Sequence, residues 1–316
     1  MILVAGVPTD GPTELLIESL ESLGCGYILF DQRQHADTSM YLRVEDDAAG
    51  GALSGEITTA AGTVRLEDIQ GVFLRMMSEE NVLQTQQVPV GSAVAHRCRA
   101  LHRLIYSWTE VCPARVLNRA SDMASNSSKP FQMQVARECG FSIPETMITT
   151  DPLVAREFIQ SIWQSGDQVI YKSISGVRSI VQEVREADFG RLDHIRWCPT
   201  QFQRRVCGVD IRVHVIGESI FAVRIESQAT DYRYSVRQVG SAPDLSITEL
   251  DRANTARCRA MAQKLNLPLA GIDLRITPDQ QTYCFEANPS PAFNYYQDAT
   301  GAPISDAIAR YLAHCS

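Results

Sequence analysis

Apolar runs and amphipathic runs take turns along the first hundred residues. MILVAGV is a short continuous apolar stretch, the pattern of a buried strand, and Glu14 to Leu23 places its apolar residues at helical spacing. GYILFD reads as a second strand, followed by the alternating segment GEITTAAGTVRL and the apolar run GVFLRM at Gly71 to Met76. This alternation predicts a small α/β domain over residues 1–112.

A long helical pattern, Ala93 to Glu110, leads through Pro113 into VLNRASDMASNSSKPFQMQVARECGFSIPETMITTDP. Here a polar, helix-starting stretch precedes apolar residues at helical spacing, Gly140 stops the helix, and Pro144 opens an extended segment. DQVIYKSISGVRSIVQEV reads as two strands joined by SISGVRS, which puts Lys172 at a strand end beside small residues. These features predict a central unit, 113–198. Beyond it the strands are dense: QFQRRV, DIRVHVIG, SIFAVRIES and DYRYSVRQV. A helix from Glu249 to Leu265, a hairpin LAGIDLRITPDQQTYCFEAN and a closing helix from Ser305 to Ala313 complete a third unit, 199–316. The expected class is α/β, turning to α+β in this last, antiparallel part.

Composition narrows the chemistry. A formal charge of −8 argues against nucleic acid or an anionic membrane as partner, since both require a cationic surface. No apolar run approaches the roughly 20 residues of a membrane helix, and no basic region precedes the short apolar opening as in a signal peptide. The nine cysteines include no CxxC pair and no zinc-like spacing with histidine, so reduced thiols in a cytoplasmic protein are expected. The first turn carries Gly6 and Gly11 but no GxGxxG, and no GxxxxGK[ST] loop occurs, which disfavours a dinucleotide oxidoreductase and a P-loop enzyme. Only three residues are lysine (Lys129, Lys172, Lys264) against twenty-six arginines. Lysine at so few places fits either chance or a need there for a compact, flexible ammonium.

The last hairpin holds an unusual cluster. With its turn over Pro278, Asp279, Gln280 and Gln281, symmetric pairing sets Asp273 directly across from Glu286, and alternation puts Asn288 on the same face as Glu286. Two facing carboxylates destabilise a sheet unless something neutralises them. One possibility is an exposed face with its charges in water and Arg275 nearby; the other is a hard cation such as magnesium, which oxygen ligands of this kind suit. A one-residue bulge, by contrast, would separate the two acids. Arg204, Arg205, Arg212, Arg224, Arg233 and Arg237 crowd the same strand-rich region. They either pair with Asp210, Glu218, Glu226 and Asp231 or surround a polyanion such as a triphosphate.

Taken in order from about Val116 to the C-terminus, these segments resemble the ATP-grasp superfamily, in its ribosomal-protein glutamate ligase-like branch. The resemblance rests on VLNRASDMASNSSKPFQMQVARECGFSIPETMITTDP, VIYKSISG, FQRRVCGVDIRVHVIGESIFAVRIES with DYR after it, and GIDLR followed by YCFEANPSPAF. ITTDP, IFAVRIES and DLRIT look most like the microviridin-type ligases that crosslink ribosomally made peptides. The resemblance implies an ATP-grasp fold: an N-terminal α/β domain, a small central domain and a C-terminal antiparallel-sheet domain. It implies ATP contacts from Lys129 and Lys172, an adenine hinge at Gln201, Phe202 and Gln203, and Asp210 near the ribose. Arg212, Arg224 and Arg233 would line the phosphate-transfer centre, and Asp273, Glu286 and Asn288 would ligate magnesium. The chain departs from the pattern in having one glycine in SISGVRS, Gln201 in place of an acid, and YSVRQ after DYR.

The implied activity is ATP-dependent ligation through an acyl phosphate, giving an amide or ester on a peptide. Ligation of free amino acids or a small metabolite is the alternative, and nucleotide binding without turnover is another. The implied partners are ATP, magnesium and a peptide or amino acid, with homo-oligomers common among such ligases. A substrate-facing loop, FNYYQDATG, is expected after the prolines at the end of the hairpin.

Overall fold

A computed structural model of the chain describes residues 1–45, 52–78, 81–82, 89, 91–174, 181–227, 229 and 232–314. The first region runs β1 (Ile2–Gly6), α1 (Gly11–Ser22), β2 (Tyr27–Asp31), β3 (Ser39–Glu45), β4 (Ala52–Thr59), β5 (Gly62–Arg65), β6 (Gly71–Arg75), α2 (Ala93–Val111) and β7 (Arg115–Leu117). Four of these strands form a parallel sheet in the order β2-β1-β6-β7, and β3, β4 and β5 form a separate antiparallel sheet. Pro12 sits in the first turn of α1, where its missing N–H costs nothing. Helix α2 is capped by Ser92, whose side chain accepts from the Ala95 amide.

The middle of the chain supplies α3 (Ala120–Met123), α4 (Lys129–Glu138), β8 (Thr146–Thr149), α5 (Pro152–Gln164), β9 (Val169–Ser173), β10 (Gln182–Glu183) and β11 (Thr200–Arg204). The small sheet they make has the order β10-β9-β11-β8. The two strands expected on either side of SISGVRS are β9 and β10, which pair antiparallel; most of that loop falls outside the described residues. Gly140 ends α4 with φ of +89°, as its place after the helical pattern suggests. On the face of this sheet away from the rest of the protein, Ile159 and Ile162 of α5 pack on Val169 and Phe202.

The third region contains β12 (Val209–Ile216), β13 (Ser219–Glu226), α6 (Ser235–Val239), β14 (Asp244–Thr248), α7 (Arg252–Lys264), β15 (Leu269–Ile276), β16 (Thr282–Asn288), α8 (Asn294–Thr300) and α9 (Ile304–Leu312). Its five-stranded antiparallel sheet has the order β14-β13-β12-β15-β16. One face is mostly apolar, away from Arg224 near its β13–β14 edge, and is covered by Val135 and Ala136 of α4 and by Cys258, Met261 and Ala262 of α7. The other face is divided. Ile216, Val223, Ile225 and Leu269 join a core with β1, α1, α8 and α9, whereas Asp210, Arg212, Asp273 and Arg275 are left on its remaining part.

Three expectations are corrected here. DYRYSVRQV is not a strand: Tyr232–Tyr234 is a 3-10 turn leading into α6. The alternation of Tyr232, Tyr234 and Val236 is overridden because Tyr232 tucks its hydroxyl onto that of Tyr296, 2.8 Å away, and the edge beside β13 is taken by β14. FNYYQDATG is not a loop but α8, anchored by fully buried Phe293 and closed by Gly301 in the left-handed region. The divisions at 112/113 and 198/199 also shift, since β7 completes the first sheet and β11 belongs to the small one. Helix α4 packs on the third region's sheet rather than on the small sheet.

Candidate active site

A cleft separates the open face of the small sheet from the polar part of the five-stranded sheet, bounded by Lys172, Gln203 and Arg205 on one side and Asp210, Asp273 and Glu286 on the other. Its floor is the β15–β16 hairpin. The turn is tighter than symmetric pairing assumes: the Thr277 amide donates to Gln281 O at 3.0 Å, and the first pairs are Ile276 with Thr282, Arg275 with Tyr283 and Leu274 with Cys284. Continued unchanged, that register would put Phe285 opposite Asp273. A bulge after Cys284 absorbs one residue, so Asp273 pairs with Glu286, Ile272 with Ala287 and Gly271 with Asn288. The bulge therefore brings the acids together, the reverse of the effect expected of it. It also lets Phe285 and Glu286 both leave the core, while Cys284 and Ala287 stay buried on the α4 and α7 side.

Each facing carboxylate has a cation. Asp273 Oδ1 accepts from Arg212 Nη1 at 2.7 Å, and Glu286 Oε2 accepts from Lys129 Nζ at 2.7 Å with Lys172 Nζ at 3.9 Å. The two lysines that the resemblance singles out thus converge on one carboxylate oxygen from two separate elements, α4 and β9. Asn288 Oδ1 accepts from the Ser290 amide at 2.9 Å. Two carboxylates and a side-chain amide at adjacent paired positions form an all-oxygen set fit for a hard cation. Among the described residues no three His, Cys, Asp or Glu side chains form a metal cluster, and this set has two carboxylates and one amide.

Arg212 is buried, and its guanidinium lies 5.6 Å above the Tyr296 ring. Burial alone would lower its pKa, but attraction to Asp273 outweighs that and holds it above the ordinary arginine value. Gly271 makes this placement possible, since a Cβ there would lie 2.2 Å from Arg212 Nη2. Next along the same face, His214 is fully buried, and burial together with the Arg212 charge pushes its pKa well below 6.5. Burial, with Asp273 nearby, raises Tyr232 well above the usual tyrosine value. Gly271, Tyr232 and Tyr296 went unnoticed in the sequence. The glycine between apolar neighbours in AGID was the one available signal.

Other sequence-derived candidates sit differently. Gln201 lies cross-strand from Lys172 and Gln203 from Ile170, so both face the cleft; Gln201 is buried with Oε1 unpartnered, and Gln203 donates to Thr146 Oγ1. Phe202 pairs with Tyr171 and turns into the core on the opposite side. Because β11 is flanked by β8 and β9 throughout Gln201–Gln203, that backbone is committed to the sheet. Asp210 borders the cleft with both oxygens held by Arg275, each at 2.8 Å. Arg224 is misassigned: Val223, not Arg224, lies beside Arg212, and Arg224 projects from the reverse face, half-exposed and bonded to Glu226 at 2.8 Å. Arg233 falls within Tyr232–Tyr234, and its side chain lies outside the described residues. Arg204 is bound on the surface by Glu145 and Asp167.

The RimK-like ATP-grasp domain family matches residues 125–312, more than half of the chain and all of the cleft just described. The chain belongs to the RimK-like ATP-grasp family. A probable alpha-L-glutamate ligase 1 from Shewanella amazonensis is 23% identical over 235 residues, covering 71% of this chain and 74% of that relative. Among solved structures, the macrocyclase MdnC of Microcystis aeruginosa, bound with precursor peptide MdnA, aligns over 99% of both chains at 21% identity with a TM-score of 0.80. A RiPP-associated ATP-grasp ligase of Chryseobacterium gregarium, in complex with ADP and a leader and core peptide, aligns over 99% of this chain and 96% of its own at 23% identity, with a TM-score of 0.81. The ATP-grasp fold of this chain therefore extends through its N-terminal region, where the sequence carried no recognisable signature. Among the described residues no helix is long and apolar enough to cross a membrane, and the eight described cysteines are free.

Proposed function

We propose that this ATP-grasp protein is an ATP-dependent ligase that forms amide or ester bonds in a ribosomally made peptide. The observation carrying the reading is the convergence of Lys129, Lys172 and Arg212 on the facing pair Asp273 and Glu286, inside a fold shared end to end with peptide-bound ligases. A peptide carboxylate oxygen attacks the γ-phosphorus of ATP; ADP leaves and an acyl phosphate forms. An amine or hydroxyl of the peptide then attacks the acyl carbon, inorganic phosphate departs, and the nucleophile gives up its proton.

The residues present are set for this. The lysines exchange Glu286 for phosphate oxygens when nucleotide enters, and the permanently charged Arg212 faces the negative charge that develops on the transferred group. Asp273, Glu286 and Asn288 would hold magnesium, which when bound supplies charge neutralisation on the phosphates. Gln201 and Gln203 offer amides to the nucleotide from the small sheet.

One further observation favours a peptide over a free amino acid. The reverse face of the small sheet holds a largely apolar cavity of about 180 Å³, lined by Ile159, Tyr171, Phe189, Leu192, Ile195 and Phe202. Trp197 stands 91% exposed close by in sequence. A recognition segment of the peptide seats there, apart from the reacting centre, while the peptide's reacting end enters the cleft. We assign the reaction to the cytoplasm, carried out by a homo-oligomer. Incubation with magnesium-ATP and candidate precursor peptides tests the reading: ADP release coupled to loss of water within one peptide supports it. A mass gain of one residue from a free amino acid, with no effect of any peptide, would replace it with small-molecule ligation. Nucleotide binding with no acceptor-dependent ADP release would leave only a nucleotide-binding protein.

A further inference from the structure

Strand β16 is the last strand of its sheet, with β15 on one side and, on the other, only a bridge from Ser142 to Tyr283. In an antiparallel pair, alternate residues aim their backbone groups outward, and an outer strand has to satisfy those groups some other way. At Ala287, between Glu286 and Asn288, the partner is a side chain. Gln132 of α4 is completely buried; its Nε2 donates to Ala287 O at 2.7 Å, and its Oε1 accepts from Ala287 N at 3.3 Å. The carboxamide thus stands in for one residue of an absent neighbouring strand. One helical turn earlier on the same helix, Lys129 reaches Glu286. A single helix therefore fixes both the backbone between two proposed cation ligands and the ammonium opposite one of them.

The far side of Asn288 is held as well. Buried Asn118 donates from Nδ2 to Leu269 O at 2.7 Å and to Pro289 O, and its Oδ1 accepts from Leu269 N at 3.1 Å. The carbonyl before Asn288 is held by Gln132 and the carbonyl after it by Asn118. A crankshaft rotation that would swing the Asn288 oxygen off the Glu286 face has to break one of these two clamps.

We infer that Gln132 is a positioning residue for the cation and phosphate site, locking α4 to β16 so that Glu286, Asn288 and Lys129 keep one mutual geometry. The inference rests on the proposed nucleotide and cation site. Groups that orient metal ligands typically contribute about 10- to 100-fold in metal affinity or activity when lost. Gln132→Met keeps the volume and removes both hydrogen bonds. The experiment measures Mn²⁺ binding by electron paramagnetic resonance, on the full chain with a non-hydrolysable ATP analogue present. Native protein is expected to bind, and Gln132→Met to bind about tenfold or more weakly. Val135→Ala, a cavity variant on the same helix, should lower stability without moving Mn²⁺ affinity. Equal Mn²⁺ affinity in native and Gln132→Met proteins, or an equal loss in Val135→Ala, overturns the inference and leaves the nucleotide site intact. Native protein that holds no Mn²⁺ overturns the site itself and the inference with it. If Gln132→Met does not fold, Gln132→Glu serves: it keeps an acceptor for Ala287 N and loses the donor to Ala287 O. At neutral pH its Mn²⁺ affinity should fall about tenfold or more; a native-like affinity overturns the inference.

Discussion

Replacing Gly271 by alanine perturbs the site by a single methyl group, and the structure allows its effect to be worked out. The added Cβ would sit 2.2 Å from Arg212 Nη2, 2.7 Å from Arg212 Cζ and 2.7 Å from Pro291 Cβ. Gly271 is outside the left-handed region, so alanine carries no backbone penalty and the clash is the whole effect. The shortfall from ordinary contact to Nη2 is roughly 1 Å, and neither neighbour yields easily: Pro291 is a ring, and Arg212 is buried and tied to Asp273 at 2.7 Å. The guanidinium has to move by about that distance. Misplacement of a positioned group by about 1 Å costs on the order of 100-fold in rate, and overpacking costs about 1–3 kcal/mol of stability. Steady-state ADP release in the presence of peptide should therefore show kcat down about 100-fold with KM for ATP changed much less, since the lysines and the small sheet are untouched. Urea unfolding should show a modest loss. Gly91→Ala, where a Cβ meets nothing within 4 Å, is the matched control. A Gly271→Ala protein with near-native kcat would refute the placement of Arg212 at the transferred phosphate.

The remaining predictions separate the corrected assignments from the original ones. Arg212→Ala should lower turnover about 100-fold or more, because one donor to a developing charge contributes roughly 3–4 kcal/mol; Arg224→Ala, on the reverse face of the sheet, should stay within about twofold by the same assay, and equal losses would restore Arg224 to the site. Glu286→Gln should raise the magnesium concentration needed for half-maximal turnover, and an unchanged requirement would remove Glu286 from the cation set. His214 is neutral when folded, with its pKa far below 6.5, but takes up a proton in the unfolded chain near that pH. Its contribution is therefore constant above about pH 6.5 and lost as pH falls below it, at up to about 1.4 kcal/mol per pH unit. Urea titrations of native and His214→Leu proteins at pH 7.5 and 5.5 check this, and identical pH dependence would refute it.

Much of the fold was legible because it is written in local periodicity. The amphipathic runs became α1, α2, α7 and α9 within a few residues of their expected ends, and the apolar runs became β1, β2 and β6. DYRYSVRQV failed because its alternation competes with a tertiary contact, Tyr232 on Tyr296, that no local window contains. The site shows the same split. Asp273, Glu286 and Asn288 stood out by their spacing in the hairpin, whereas Lys129, Lys172 and Arg212 were singled out by the resemblance; the structure sets these three cations against Asp273 and Glu286. Arg224 looked equivalent to Arg212, since both stand in apolar strands. One residue of register decides which of them faces the cleft, and register is a property of two strands rather than one.

By itself, the sequence determined most of the helices and strands and placed two carboxylates at positions near each other across the last hairpin, because spacing and side-chain type are local. The tertiary structure alone decided that the meeting requires a bulge at Phe285, and that Phe202 and Arg224 turn away from the cleft. It also decided that Gly271 clears space for Arg212 and that Gln132 completes the outer edge of β16. Each depends on groups brought together from distant parts of the chain, where excluded volume and unpaired backbone hydrogen bonds select one arrangement from several that the local pattern permits.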